Sequence, residues 1–158
     1  ALAFDGGNGQ MTWTAIDTTN TFTWAAWFKP LASSEADAAL FMTASCGIGI
    51  EYVSNNVLTL FNAGYQNANT TLTVDEWQHI AVVSTAGNAT FYRNGVSDGT
   101  ATGVVAINGT NMSSSTVAGC KLKGQVDDIW LFARALSTGD IAELINLATP
   151  VRKRMLLY

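Results

Sequence analysis

The stretch EWQHIAVVSTAGNATFYRNGVSDG, residues 76–99, holds two apolar runs separated by turn residues. The runs at residues 79–84 and 89–93 are rich in β-branched and aromatic side chains, which favour strands. Gly87-Asn88 separates the two runs, and Asn94-Gly95 follows the second. Asn-Gly after such a run is a strong hairpin signal, because both residues tolerate the positive φ of a type I′ turn. The stretch therefore predicts a series of consecutive antiparallel strands.

Short apolar runs interrupted by turn residues continue along most of the chain. TFTWAAWFKP, residues 21–30, alternates in the manner of a strand before a proline, and further strands are predicted at residues 1–4, 39–43, 48–52, 57–61, 70–74 and 104–107. Only ALSTGDIAELINLA has helical spacing, with Ser137 as N-cap and Asp140 completing a capping box. The pattern predicts an all-β fold, an antiparallel two-sheet β-sandwich or jelly roll with one short C-terminal helix.

The length and charge of the chain limit its possible domain organisation and the classes of partner that it can bind. The 158 residues fit one domain, taken as residues 1–148, followed by a basic and apolar tail at residues 149–158. The formal net charge is -4, and three of the eight basic residues are Arg152, Lys153 and Arg154. The body of the chain has no basic stripe to neutralise phosphates, so nucleic acid is not expected as a partner. No run approaches the ~20 apolar residues of a membrane helix, so membrane insertion is not expected either.

Three segments carry a resemblance to a known family. They are ALAFDG at residues 1–6, FTWAAWFKP with EWQHIAVVSTAGNATFYRNG in the middle, and LKGQVDDIWLFARALSTGDI at residues 122–141. In order and spacing they resemble the laminin-G-like branch of the concanavalin A-like lectin/glucanase superfamily. The resemblance reaches to about Leu147 and implies a concanavalin A-like sandwich. The superfamily includes lectins, adhesion modules and glycosidases, so function must be argued from a site.

The carboxylates give no sign of a glycosidase. Retaining glycosidases need two carboxyl groups ~5 Å apart, and relatives with this activity carry an E-x-D-x-x-E-type run on one strand. That run is absent, and Glu35 alone among the glutamates has an acidic residue two or four positions away, Asp37 in the loop-like LASSEADAA. Adjacent strand residues point to opposite faces, so Asp127 and Asp128 do not form a cleft pair. The sequence predicts that the protein is not an enzyme.

By strand alternation, Asp127 is expected on the face of Ile129 and Leu131, and Asp128 on the face of Trp130 and Phe132. An aspartate at the end of an inward-facing row needs a hydrogen bond or a cation, because an unpaired buried carboxylate is costly.

The resemblance also implies a structural calcium site. In calcium-binding relatives, the aspartate at the position of Asp127 contributes to a Ca²⁺ site completed largely by backbone carbonyls, and Asp5 in FDG is the next candidate. Ca²⁺ takes six to eight oxygen ligands in flexible geometry. The alternative is that Asp127 caps turn amides and Asp5 forms an Asx-turn with Gly6 and Gly7.

Two aromatic residues are candidate ligand contacts. Trp13 lies in NGQMTWTAIDTTN and Tyr65 in FNAGYQNANTT, where an exposed ring would stack on a sugar while amides bind its hydroxyls. The alternative is that each ring packs on its own segment. His79, the only histidine, lies in an apolar run and is interpreted as a buried strand residue. Cys46 and Cys120 allow one disulfide or two buried thiols.

Two apolar features predict a protein interface. Trp130 and Phe132 depart from the family pattern, which suggests cover by the C-terminal helix or by another protein. The tail PVRKRMLLY joins a basic cluster to the apolar residues Leu156, Leu157 and Tyr158. This tail is interpreted as an anchor on a neighbouring surface, either that of a protein partner or that of a second copy in a homo-oligomer.

These observations favour a non-catalytic binding module for carbohydrate or a glycoprotein surface. Its expected setting is a larger extracellular, cell-surface or virion protein. A structural or assembly module, such as a virion decoration domain, is the alternative suggested by the tail and by Trp130 and Phe132. A glycoside hydrolase is the third reading.

Overall fold

The computed structural model describes residues 1–7, 9–32, 37–42, 46–51, 56–62, 64–112 and 121–147, and for residues 15, 46, 108 and 110 it describes the backbone alone. The Cys46 side chain and Cys120 lie outside this description, as does the tail at residues 149–158. The alternatives for the two cysteines therefore stay open.

The described residues form twelve strands and one α-helix. In chain order they are β1 Leu2–Asp5, β2 Met11–Asp17, β3 Phe22–Pro30, β4 Asp37–Met42, β5 Cys46–Glu51, β6 Val57–Asn62, β7 Tyr65–Thr71, β8 Gln78–Thr85, β9 Asn88–Arg93, β10 Val96–Thr102, β11 Asn108–Met112, β12 Lys123–Phe132 and α1 Thr138–Leu147.

The strands make two antiparallel six-stranded sheets. Sheet A has the order β1-β12-β3-β8-β9-β10, and sheet B has the order β2-β11-β4-β5-β6-β7. The predicted hairpin from residue 79 to residue 93 is formed by β8 and β9, with Ile80 opposite Arg93 and Thr85 opposite Asn88. The predicted antiparallel sandwich with one short helix is confirmed.

The core lies between the sheets and is built from the alternation of each strand. In β3 the residues Phe22, Trp24, Ala26 and Phe28 are fully buried and belong to the main core. The intervening side chains point to the outer face of sheet A, where helix α1 covers part of the sheet. There Ala25, on β3, belongs to a second cluster with residues of β8, α1 and the segment before α1, namely Ala81, Val83, Leu136, Ile141 and Leu144.

The start of α1 follows the predicted capping box. The hydroxyl of Ser137 accepts a hydrogen bond from the Asp140 amide at 3.1 Å, and the Asp140 carboxylate accepts one from the Ser137 amide at 2.8 Å. These bonds to Ser137, together with Arg134, lower the pKa of Asp140. Two of the orphan amides at the helix start are satisfied reciprocally, which fixes where α1 begins.

Some strand predictions were wrong in position. Residues 104–107 form no strand, although Val104 and Ile107 are buried. The backbone groups of Ile107 are hydrogen-bonded to Thr18 instead of to a neighbouring strand. The Thr18 hydroxyl donates to the Ile107 carbonyl at 3.0 Å and accepts from the Ile107 amide at 2.8 Å. Conversely, the segments that contain Trp13 and Tyr65 are the strands β2 and β7. Their Asn- and Thr-rich sequences lack the apolar run by which a strand is recognised.

A β-bulge in β12 overturns the predicted facing of its aspartates. Asp127 lies opposite Trp27, whereas Trp130 lies opposite Ala25, so β12 has one more residue than β3 across this interval. Asp128 lies within this bulge, and its backbone has a positive φ of 44°. The bulge shifts the alternation by one position. Asp127 therefore shares the outer face with Trp130, not the face of Leu131.

His79 is buried on the outer face of sheet A. It is 1% exposed, and its ring meets that of Trp27 edge-on with centroids 5.6 Å apart. Within the described residues neither ring nitrogen has a hydrogen-bond partner. Burial without a partner lowers the pKa of His79 from 6.5 to about 4. The ring is therefore neutral at pH 7, in agreement with its interpretation as a buried strand residue.

This pKa predicts a specific loss of stability in mild acid. The unfolded chain binds one more proton than the native protein between pH 6.5 and about pH 4, so stability should fall as the pH is lowered through this window. The full loss is about 3 kcal/mol. Urea unfolding across the window should show this slope, and His79→Phe should remove it without lowering stability at pH 7. Equal slopes in both proteins would contradict the assignment.

Candidate functional site

Two carboxylates lie side by side on the outer face of sheet B. Asp37, the first residue of β4, is directly opposite Glu51, the last residue of β5. Ile50 is fully buried in the core, so its neighbour Glu51 points to the outer face. Directly opposed residues of antiparallel strands have their Cβ atoms about 4.5–5.5 Å apart. Asp37 is thus part of a strand and not of a loop, and its acidic neighbour comes from the next strand.

Each carboxylate accepts a hydrogen bond from a neutral side chain of β7. The hydroxyl of Tyr65 donates to Asp37 Oδ2 at 2.6 Å. The amide of Asn67 donates to Glu51 Oε2. Tyr65 and Asn67 are two residues apart on one strand and therefore share a face. The four side chains form a connected group, here named the sheet B cluster.

The sheet B cluster has unused acceptors. Within the described residues, Asp37 Oδ1 and Asn67 Oδ1 are buried and accept no hydrogen bond. A buried acceptor without a donor costs about 1–3 kcal/mol. Neither Asp37 nor Glu51 forms an ion pair in the described part of the chain. The described part of the cluster therefore holds two solvent-shielded acceptors without a donor.

An aromatic surface borders these acceptors. Tyr65 is 49% exposed, and its ring packs against Phe61 with centroids 5.1 Å apart. The floor beside the polar groups consists of small residues, with Ala39 and Gly49 paired across β4 and β5 and Thr59 next to them on β6. These small residues are buried, with Ala39 at 0% and Thr59 at 3% exposed, and the hydroxyl of Tyr65 reaches Asp37 beside them.

Trp13, the other predicted ligand contact, lies at the opposite edge of sheet B. Its ring stacks on Phe41 with centroids 6.2 Å apart, and its Nε1 donates to the Gly109 carbonyl at 2.8 Å. It borders an apolar groove of about 240 Å³ that also includes Ile16 and Ile129. The structure does not bring Trp13 and Tyr65 together, and a ligand contact at Trp13 stays a prediction.

The two predicted metal ligands are also apart. Asp5 lies opposite Lys123 on β12, four residues from Asp127, which is roughly 13 Å along the strand. Asp5 accepts the Gly7 amide at 2.7 Å, as in the Asx-turn alternative. Asp127 accepts the Asp128 amide at 3.1 Å and lies 3.4 Å from the Ala1 nitrogen.

Around Asp127, as in the rest of the described residues, no group of three or more His, Cys, Asp or Glu side chains is placed to hold a metal ion. Burial and the adjacent charge of Asp127 raise the pKa of Asp128. A calcium site at Asp127 stays a prediction. Joint ligation of one ion by Asp127 and Asp5 does not fit the pairing of β1 with β12.

The predicted interface residues Trp130 and Phe132 stack on each other, with centroids 6.0 Å apart. Phe132 packs against the cluster beneath α1, as expected for cover by the C-terminal helix, whereas Trp130 is 40% exposed. Leu156, Leu157 and Tyr158 lie outside the described residues. A partner or homo-oligomer at this surface stays a prediction.

The calcium prediction has a direct thermal test. If Asp127 ligates Ca²⁺, the melting temperature should fall in EGTA and recover with Ca²⁺, since an ion that binds the native state stabilises it by about 2.7 kcal/mol at a hundredfold excess over Kd. Asp127→Ala should be insensitive to both, and Asp5→Asn, which keeps the turn acceptor, should respond as the parent does. If metal-free protein and protein with Ca²⁺ have the same melting temperature, Asp127 is not a Ca²⁺ ligand and is only a residue of the β12 bulge.

The family model described as the concanavalin A-like lectin/glucanases superfamily, Laminin_G_3, matches residues 5–142. No curated protein matches the sequence of the chain. In the described residues, no helix is long and apolar enough to span a membrane.

Solved structures share the fold at low sequence identity. Domain 4 of AbnA, a GH43 extracellular arabinanase from Geobacillus stearothermophilus in complex with arabinotriose, is 16% identical with a TM-score of 0.72, covering 90% of this chain and 74% of that one. The heptameric SAP-like pentraxin of Limulus polyphemus is 18% identical with a TM-score of 0.66, covering 89% and 78%. The botulinum neurotoxin type G receptor-binding domain is 16% identical with a TM-score of 0.64, covering 92% and 41%.

Proposed function

The chain belongs to the concanavalin A-like lectin/glucanases superfamily, and we propose that it is a non-catalytic module that binds carbohydrate through the sheet B cluster. The observation that carries this proposal is the hydrogen-bonded group of Asp37, Glu51, Tyr65 and Asn67 beside the half-exposed Tyr65 ring.

The chemistry of the cluster matches that of a sugar. Carboxylate and amide oxygens accept hydrogen bonds from hydroxyl groups, and Asp37, Glu51 and Asn67 supply such oxygens beside Tyr65. Tyr65 presents an apolar ring with a polar end, which suits a ligand that has both C–H and O–H surfaces. A few convergent polar groups beside an aromatic surface are typical of small-molecule sites.

The same contacts argue against hydrolysis. A retaining glycosidase needs one carboxyl group that is free to donate a proton to the leaving group. Tyr65 donates to Asp37 and Asn67 donates to Glu51, so both groups are held as acceptors.

The solved structures support the class of ligand and the setting. Domain 4 of AbnA was solved with arabinotriose bound and is part of an extracellular enzyme, and two other neighbours are described as a putative carbohydrate-binding protein and a receptor-binding domain. By analogy with these proteins, the proposed setting is a larger extracellular or cell-surface protein.

The proposal predicts saccharide binding that depends on Tyr65. In titrations with arabinotriose and with the ligands identified on a glycan array, Tyr65→Ala should weaken binding about tenfold or more, because it removes the ring and the Asp37 donor. Tyr65→Phe keeps the ring and should weaken binding less.

The matched control is Trp130→Ala, which removes an exposed aromatic side chain from the other sheet and should leave saccharide binding unchanged. A folded protein that binds nothing on a glycan array or in a polysaccharide pull-down would refute the proposal. Hydrolysis of a bound oligosaccharide that is lost in Glu51→Gln would replace it with a glycosidase.

A further inference from the structure

A polar cavity, separate from the sheet B cluster, lies at the edge of the sandwich where β7 of sheet B approaches β9 and β10 of sheet A. Its volume is about 460 Å³, within the range of small-molecule sites. Its lining includes Thr70 from β7, Glu76 and Trp77 from the segment before β8, Arg93 and Asn94 at the end of β9, and Asp98 from β10. None of these residues belongs to the sheet B cluster.

A bulge in β10 turns Asp98 into this cavity. The pairing of β10 with β9 shifts register between Ser97 and Thr100, and Gly99 has a φ of 112°. A Cβ on Gly99 would lie 3.1–3.3 Å from atoms of Asn69, so the close approach of the two edges also requires glycine. Asp98 is left only 8% exposed.

The Asp98 carboxylate is buried with too few donors. Both of its oxygens contact the Thr70 hydroxyl, at 2.8 and 2.7 Å, and they have no other hydrogen-bond partner in the described part of the chain. A hydroxyl has a single hydrogen, so it satisfies one oxygen at a time. A buried carboxylate with a single donor leaves acceptor capacity that further donors would satisfy.

Arg93 lines the same cavity without pairing with Asp98. It donates through Nη1 to the Thr71 carbonyl at 3.1 Å and forms no ion pair within 4 Å in the described residues. A guanidinium has five N–H donors, so most of those on Arg93 are available. The cavity therefore presents acceptors at Asp98 and donors at Arg93, with space between them.

This arrangement selects a neutral ligand. The carboxylates of Asp98 and Glu76 oppose an anion, and the Arg93 guanidinium offsets one of the two negative charges that would attract a cation. A neutral polyhydroxyl compound donates to Asp98 and accepts from Arg93 without bringing a charge, and the Trp77 ring adds an aromatic wall. We propose that the cavity is a second site for a neutral sugar residue, a ligand class that rests on the proposed function.

The test is a ¹H–¹⁵N NMR titration of the full chain with methyl glycosides of arabinose, galactose, glucose and mannose, and with arabinotriose. The indole N–H of Trp77 and the amides of Asn94 and Ser97 report on the cavity, and the side-chain amide of Asn67 reports on the sheet B cluster. At least one sugar should shift the cavity signals in a saturable way.

Two variants assign these shifts. Asp98→Asn keeps an acceptor for Thr70 but removes the charge, and Arg93→Gln removes the guanidinium; each should weaken binding at the cavity about tenfold and leave the Asn67 response intact. Asp98→Asn should not lower the melting temperature of the free protein. If that variant lowers it and leaves the titration unchanged, Asp98 is structural and the proposal fails.

The outcomes separate the two sites. Shifts at Asn67 alone would overturn the second site and leave the proposed function standing, whereas shifts at the cavity alone would support the second site and count against the sheet B cluster. Cavity shifts with glycine as a zwitterion or with Ca²⁺, but with no sugar, would overturn the assignment of ligand class. No cavity shift with any sugar would overturn the proposal.

Discussion

The central strand β3 is the constraint on which the rest of the structure depends. Its inner row of Phe22, Trp24, Ala26 and Phe28 is fully buried, and its edges pair with β8 and β12. Because side chains alternate, a slip of one residue would move this row out of the core, so both registers are fixed by burial. The same alternation leaves Ala25 on the outer face, where a small side chain allows α1 to pack.

Helix α1 occupies part of one outer face of the sandwich. It covers part of the outer face of sheet A, burying Ile141 and Leu144 against Ala81. His79 and Trp27 on that face are occupied by packing. The outer face of sheet B instead carries carboxylates, an amide and an exposed Tyr65, groups that gain little from burial in the free protein. A ligand that supplies donors to them would gain what folding has left unsatisfied.

The sequence was sufficient for the fold but not for the site. The Asn94-Gly95 turn, the alternation in β3 and the Ser137–Asp140 capping box are local signals, and each has the predicted structure. The facing of Asp127 was wrong, because one bulge residue reverses an alternation that a sequence pattern treats as continuous. Tyr65 was a candidate from the sequence. Its partners were missed because Asp37, Glu51 and Asn67 meet only through the pairing of separate strands.

The bulges and the polar sites have a common physical origin. A regular strand points each side chain either into the core or to the outer face, so an aspartate on the inner side of an edge strand has no low-energy position. The bulge at Gly99 gives Asp98 such a position at the meeting of two edges, with Thr70 as its donor. Maintaining a buried carboxylate there costs stability that an asparagine would not. In the proposed second site a bound ligand supplies the further donors that Asp98 lacks in the described part of the chain.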